Sequence, residues 1–310
     1  MKKILFRITL FFVIFLFLLQ IVSNVFVMKG LGYGSDVISF YKEERNSLDL
    51  IFFGSSHSYS TFSPKIIYEE TGLKSYNFAT QQQPLWITYH YMKEALKYQK
   101  PKYMVVEILM TANDEDYMSE AINRDAIDKM RFSLNKIEVI NASVEDKSDR
   151  LSYFFNIIKY HSRWNNLIKN DVVDYLKKDE NQGFTYLEGN NAKATKINVK
   201  KVKDKEKISL KNEIYLNKII LLGKENDIKL IFVKTPYSTT VEEHKKYNYV
   251  KDIAESFGYK YLNYNEKYNE LNLDFEKDFY DSGHLTGEAA LRISKHFSDY
   301  MKEEFSLTSN

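Results

Sequence analysis

The sequence predicts an α/β domain with a mostly parallel sheet, carried behind one N-terminal transmembrane helix. Three observations predict it. Residues 8–28 carry no charge and read LFFVIFLFLLQIVSNVFV through their middle. From residue 49 onward, short apolar runs alternate with longer stretches of helical periodicity, as strand–helix–strand units do. The 310 residues are 44% hydrophobic and 28% charged, enough for one substantial core with an inserted subdomain.

The apolar run reaches roughly 30 Å as a helix, the thickness of a bilayer core. Lys2, Lys3 and Arg7 precede it, so the positive-inside tendency places the N-terminus in the cytoplasm and the rest of the chain outside. Residues 1–28 therefore read as a cytoplasmic tail and signal-anchor. A cleaved signal peptide is the alternative; the run exceeds the usual apolar region of about 7–15 residues, and no Ala-x-Ala-like site follows it. Residues 29–47, with Gly30, Gly32 and Gly34, suit a juxtamembrane linker and miss the spacing of a dinucleotide fingerprint. Lys+Arg 44 against Asp+Glu 42 leaves a formal charge of +2, which gives no global reason to bind nucleic acid or an acidic polymer. The absence of cysteine excludes disulfides, thiolate nucleophiles and cysteine zinc sites.

The folded part spans 48–305. Residues 49–53 form the first strand, and Ser63-Pro64 opens a helix that stops at Gly72. A short strand at 74–78, a helix at 84–98 and the β-branched strand 103–109 follow. Later come a helix at 208–225, a buried strand at 228–233, a helix at 241–257, a last strand at 259–262 and a closing helix capped by Thr286. Ligands bind outside the carboxyl ends of strands in such sheets. Ser56, the 80–84 loop, residues 111–113 and residues 235–238 all lie there. Residues 114–207 are helical and charged, ending in AKATKINVKKVKDKEK; this reads as an inserted helical cap with a mobile, solvated lysine segment. Within it, Tyr160-His161-Ser162-Arg163-Trp164 fits either a substrate cleft or an amphipathic helix packed on the sheet.

Chemistry concentrates in two short blocks. Gly54-Ser55-Ser56-His57-Ser58 closes the first strand, and Asp281-Ser282-Gly283-His284 precedes the last helix. A serine hydroxyl needs a positioned imidazole to take its proton, and an Asp three residues before a His can orient that ring. Ser56, His284 and Asp281 supply those types. The remaining histidines show no metalloprotease spacing, so no metal or other cofactor is expected.

This pair of blocks resembles the SGNH (GDSL-like) hydrolase superfamily over about residues 48–302. The resemblance implies a flavodoxin-like three-layer sandwich, with Ser56 as nucleophile, His284 as base and Asp281 as its partner. Ser55 stands where the family carries Asp. The family's oxyanion hole adds a Gly N–H after the second strand and an Asn side chain after the third; Thr80, Gln82 and Asn113 are the corresponding candidates here. His57, Trp86, His161 and Arg163 are candidates for substrate contact.

With its anchor, the chain looks like the superfamily's envelope branch, which includes polysaccharide O-acetylation and D-alanyl-lipoteichoic acid biosynthesis proteins. That likeness implies a bacterial, extracytoplasmic O-acyltransferase or esterase acting on a cell-surface glycan or teichoic-acid-like anionic polymer. It also implies an acyl donor delivered by a multipass membrane acyltransferase. A catalytically inactive scaffold of an envelope biosynthesis complex is the alternative.

Overall fold

Alternation along strand β1 (Leu50–Phe53) decides which helices cover which side of the sheet. Leu50 and Phe52 join one apolar cluster, Ile51 and Phe53 the other, and all four are fully buried. Beside β1 run β2 (Ser75–Asn77), β3 (Tyr103–Glu107), β4 (Lys229–Lys234) and β5 (Lys260–Asn263), all parallel, in the order β2-β1-β3-β4-β5. This is the flavodoxin-like order, and the chain reverses its direction of growth between β1 and β3. The computed structural model describes residues 1–27, 37–173, 178–189 and 194–307.

The helices in chain order are α1 (Lys2–Phe26), α2 (Val37–Phe40), α3 (Ser56–Tyr59), α4 (Pro64–Thr71), α5 (Leu85–Ala95), α6 (Glu120–Ile127), α7 (Leu134–Ser143), α8 (Arg150–Phe154), α9 (Ile157–Tyr160), α10 (Lys169–Val173), α11 (Leu210–Glu225), α12 (Val241–Ser256) and α13 (Gly287–Phe305). Helices α4 and α13 pack together over one face. Ile67, Ile293, Phe297 and Met301 are buried there with Phe52, each side chain contributing about 1.5–3 kcal/mol. Helices α5, α7, α11 and α12 share the core of the other face. The caps follow the sequence. Ser63 accepts from Ile66 N–H at the start of α4, Gly72 ends it in left-handed backbone at φ 71°, and Thr286 caps α13.

Two expectations need correction. Part of the expected linker is core: Val37 and Phe40 of α2 are fully buried, and Phe40 stacks on Phe78 with ring centroids 4.0 Å apart. Gly30, Gly32 and Gly34 lie outside the described residues. The lysine segment is pinned where it is described. Asn248 Nδ2 donates to the carbonyls of Val202 and Asp204 at 3.0 Å each, and Val199 is buried. The lysines there project from an anchored backbone.

Helix α1 is long and apolar enough to cross a membrane. Residues 2–18 of it are exposed, whereas its last turns pack against α9, α10 and the 3-10 turn His161–Asn165.

Candidate active site

Both chemical blocks sit at the carboxyl edge of the sheet. The first turns sharply after β1 because Gly54 adopts φ 134°, a conformation disfavoured for residues with a Cβ. A Cβ there would also lie 2.7 Å from Glu107 Cβ and 2.9 Å from the Glu107 carbonyl oxygen, so only glycine lets β1 and β3 end this close. Ser55 then caps α3, accepting from His57 N–H at 3.3 Å, and donates its own hydroxyl to Glu107 Oε2 at 2.7 Å. These bonds fix the backbone on either side of Ser56, the first residue of α3. Among the described residues, the Ser56 N–H meets no acceptor.

The second block is a closed turn. Phe279 and Leu285 form an antiparallel bridge, and Tyr280 N–H donates to the His284 carbonyl at 2.9 Å. Asp281 Oδ1 accepts from the backbone N–H of Gly283 (2.8 Å) and of His284 (2.7 Å), as Asp commonly does in a turn. Local hydrogen bonding alone therefore aims the carboxylate at the imidazole. His284 Nδ1 lies 3.0 Å from both Asp281 oxygens, and His284 Nε2 lies 2.8 Å from Ser56 Oγ across 228 residues of sequence. With Nδ1–H donating to the carboxylate, Nε2 is left to accept from the serine hydroxyl. Burial pushes the Asp281 carboxyl up, but the N–H of Gly283, the charge of His284 and its N–H outweigh that and hold it below the usual carboxylate range.

A buried charged pair supports this edge. Glu107 Oε1 accepts Leu109 N–H at 2.7 Å and lies 3.8 Å from Lys234 Nζ, and neither side chain is exposed. Burial lowers Lys234 to about 8 against the opposing pull of Glu107 and Glu243. Lys234 Nζ donates to the Thr235 carbonyl at 2.9 Å, and the Thr235 hydroxyl meets His57 Nδ1 at 3.1 Å. The sequence carries a signal for this pair: one Glu and one Lys interrupt the apolar runs YMVVEIL and LIFVK at the strand ends.

Among the other candidates, the structure brings only His57 beside the triad-like cluster. Its ring centroid is 4.9 Å from that of His284, but at 5% exposure it lies beneath the cluster and does not line a cleft wall. Burial, then the charges of Lys234 and His284, lower His57 well below the usual imidazole range, so it is neutral at pH 7. Thr80 N–H is committed to the Gly54 carbonyl at 3.3 Å and its hydroxyl to Gln83 at 3.0 Å, which takes it out of the role of oxyanion donor. Gln82 is exposed in left-handed backbone at φ 46° and makes no hydrogen bond to another described residue. Asn113 is turned to its own loop: Nδ2 reaches Met118 Sδ at 3.6 Å and Oδ1 accepts Glu115 N–H at 2.9 Å. The 3-10 turn Leu109–Ala112 carries it past the strand end.

Three substrate candidates lie elsewhere. Trp86 is 1% exposed within the core, with Lys211 Nζ 4.0 Å above its ring. Its apolar area is spent on packing. Arg163 donates to the Phe26 carbonyl at 2.5 Å and to Asp171 at 2.8 Å, tying α1 to α10. His161 is exposed beside it and meets the Ile158 carbonyl at 3.1 Å. The Tyr160 hydroxyl is bound to Asp128 at 2.7 Å, and Trp164 is exposed.

No protein-family model matches the chain, and no curated protein matches it significantly. Among solved structures, it is similar to an active-site mutant of a family two carbohydrate esterase from Clostridium thermocellum in complex with celluohexase. The identity is 8% and the TM-score 0.38, over 86% of this chain and 66% of that one. It is also similar to an acetyl xylan esterase from the rumen bacterium Butyrivibrio proteoclasticus, at 10% identity and TM-score 0.33, over 84% and 65%. The chain thus spans slightly less than two thirds of either protein.

Proposed function

We propose that this protein is an extracytoplasmic serine-dependent acyl-transfer enzyme of the SGNH type, an esterase or O-acyltransferase for acyl groups on a surface polysaccharide or teichoic-acid-like polymer. The observation that carries the reading is the continuous hydrogen-bonded chain from Ser56 Oγ through both ring nitrogens of His284 to Asp281. In the first step the Ser56 hydroxyl passes its proton to His284 Nε2 as Oγ bonds to the acyl carbon. Asp281 stabilises the imidazolium, and His284 then protonates the departing alcohol. In the second step a water or sugar hydroxyl loses its proton to His284 and attacks the acyl-serine, regenerating Ser56. The Ser56 N–H, which meets no acceptor among the described residues, would receive the developing oxyanion. Asp281 has 43% of its side chain exposed and His284 27%, which supports access by a bulky acceptor. Helix α1 would tether this site outside the membrane, within reach of a multipass acyltransferase that supplies the acyl group.

A catalytically inactive scaffold is the second reading, favoured by the commitment of Thr80 and Asn113 to other partners. One experiment separates them. The detergent-solubilised full chain is treated with a fluorophosphonate probe, alongside Ser56→Ala and His284→Ala. Enzyme chemistry predicts labelling of the wild type, with a loss on the order of 10⁴-fold or more in labelling rate for either variant. A folded wild type that stays unlabelled favours the scaffold.

A further inference from the structure

The free length of α1 constrains where the rest of the chain can sit. Residues 2–18 reach roughly 26 Å at about 1.5 Å per residue, and they include Lys2, Lys3 and Arg7. A bilayer core of about 30 Å takes about 20 residues. A span beginning at Ile4 would end at Ser23, and one beginning at Ile8 would end at Val27. Either way its last turns fall where α9, α10 and the 161–165 turn pack against the helix, with Ile21 and Val22 still exposed. Ser23 is fully buried there, and Arg163 caps the Phe26 carbonyl while held by Asp171.

The exposed side of this collar mixes large apolar side chains with the polar Lys159, His161, Asn165, Asn166 and Lys169. Trp164 is 72% exposed, Ile168 63%, Val172 59% and Ile158 46%, and Leu151 of the adjoining α8 is also exposed. Large apolar side chains exposed within one short stretch of chain, beside the anchor helix, mark a contact site. Trp at such a level suits the headgroup boundary, where its ring is apolar and its N–H wet.

We propose that this collar is seated in the lipid: Leu151, Ile158, Trp164, Ile168 and Val172 dip into the headgroup–acyl boundary of the leaflet on the folded domain's side. The occupant is a bilayer because the collar is continuous with α1 and lies within the outer two turns of the span. The inference rests on the membrane-anchor reading. It adds that the domain lies on the surface at a fixed depth and does not hang from a stalk.

The test uses full-length protein in phosphatidylcholine vesicles with lipids brominated at acyl carbons 6,7 or 11,12. Trp164→Phe, subtracted from wild type, isolates Trp164 emission and leaves the core Trp86 in place. Seating predicts quenching of the Trp164 component at least about twofold stronger by the shallow bromines than by the deep ones. Emission typical of water, quenched by aqueous iodide and not by either lipid, overturns the proposal. Blue-shifted emission untouched by lipid bromine overturns it in favour of a second copy of the chain. Phe15→Trp in the Trp164→Phe background reports on the anchor itself. Deep quenching at position 15 with none at 164 sinks the seat alone; no quenching at either sinks the anchor as well.

Discussion

The carboxyl edge of the sheet and the collar around α1 solve opposite problems. At the sheet edge, charges are matched: buried Glu107 accepts from Ser55 and Leu109 with buried Lys234 beside it, and half-exposed Asp281 accepts two backbone N–H groups besides its imidazole partner. At the collar, apolar side chains are exposed while Arg163 and Asp171 pair inside. The first pattern holds these side chains in place, because each polar group removed from water must find its partner. The second pays no such penalty only where the surroundings are apolar too. One chain thus carries its polar precision inward and its apolar surface outward, and the two should respond differently to substitution.

The largest separation should come from Asp281→Asn. Its amide oxygen can keep the Gly283 and His284 N–H bonds, but its NH2 then faces His284 Nδ1 and favours the tautomer whose Nε2 carries a proton. In the proposed mechanism Ser56 then loses its base. Acyl-serine formation should fall by about 10³–10⁴-fold, the loss expected when a triad imidazole is held in the wrong tautomer, with the fold retained by circular dichroism. A loss below tenfold would make Asp281 a turn residue only.

Glu107→Ala comes next and acts on stability. It strands Lys234 without its counter-charge and frees Ser55, so unfolding free energy should drop by about 3–5 kcal/mol, with slower labelling of Ser56 as a consequence. Adding Lys234→Met should recover part of the loss. A double variant no more stable than the single would show that the two charges are uncoupled.

Acid should weaken the fold. Burial lowers His90 to about 4, and lowers His57 well below its usual range. Each binds fewer protons folded than unfolded, so their contribution is intact above the unfolded value of about 6.5 and is lost as pH falls toward the folded value. For His90 the loss is about 1.4 kcal/mol per pH unit between about 6.5 and 4. Denaturant unfolding at pH 7, 6, 5 and 4 measures it, and His90→Gln should flatten the slope. An unchanged slope in that variant would remove His90 as a source.

Much of this was legible in the sequence. Strand and helix positions followed from apolar runs and caps such as Ser63-Pro64 and Gly72, because burial and capping leave local marks. Ser56, Asp281 and His284 could be named because their types and order are distinctive, but their meeting depends on a sheet closed over more than 200 residues. The oxyanion candidates were harder. Whether Thr80 N–H points at a ligand or at the Gly54 carbonyl is set by strand register, and Asn113 is displaced by a 3-10 turn that propensity does not announce. Trp86 and Arg163 misled for a related reason: aromatic and basic types serve packing and helix ends as readily as ligand contact.

The smallest expected effect belongs to Arg163→Ala. If Arg163 contacted substrate, its loss would slow deacylation of a small acyl ester severalfold or more in detergent. The structure instead spends both guanidinium contacts on Phe26 and Asp171, joining α1 to α10. Turnover of such an ester in detergent should therefore stay within about twofold, because the hydrogen bonds that aim Asp281, His284 and Ser56 involve none of these residues. The same variant in vesicles should loosen the collar, seen as faster proteolysis between α8 and α10. A tenfold fall in detergent turnover, with proteolysis unchanged, would reverse the assignment and return Arg163 to the substrate cleft.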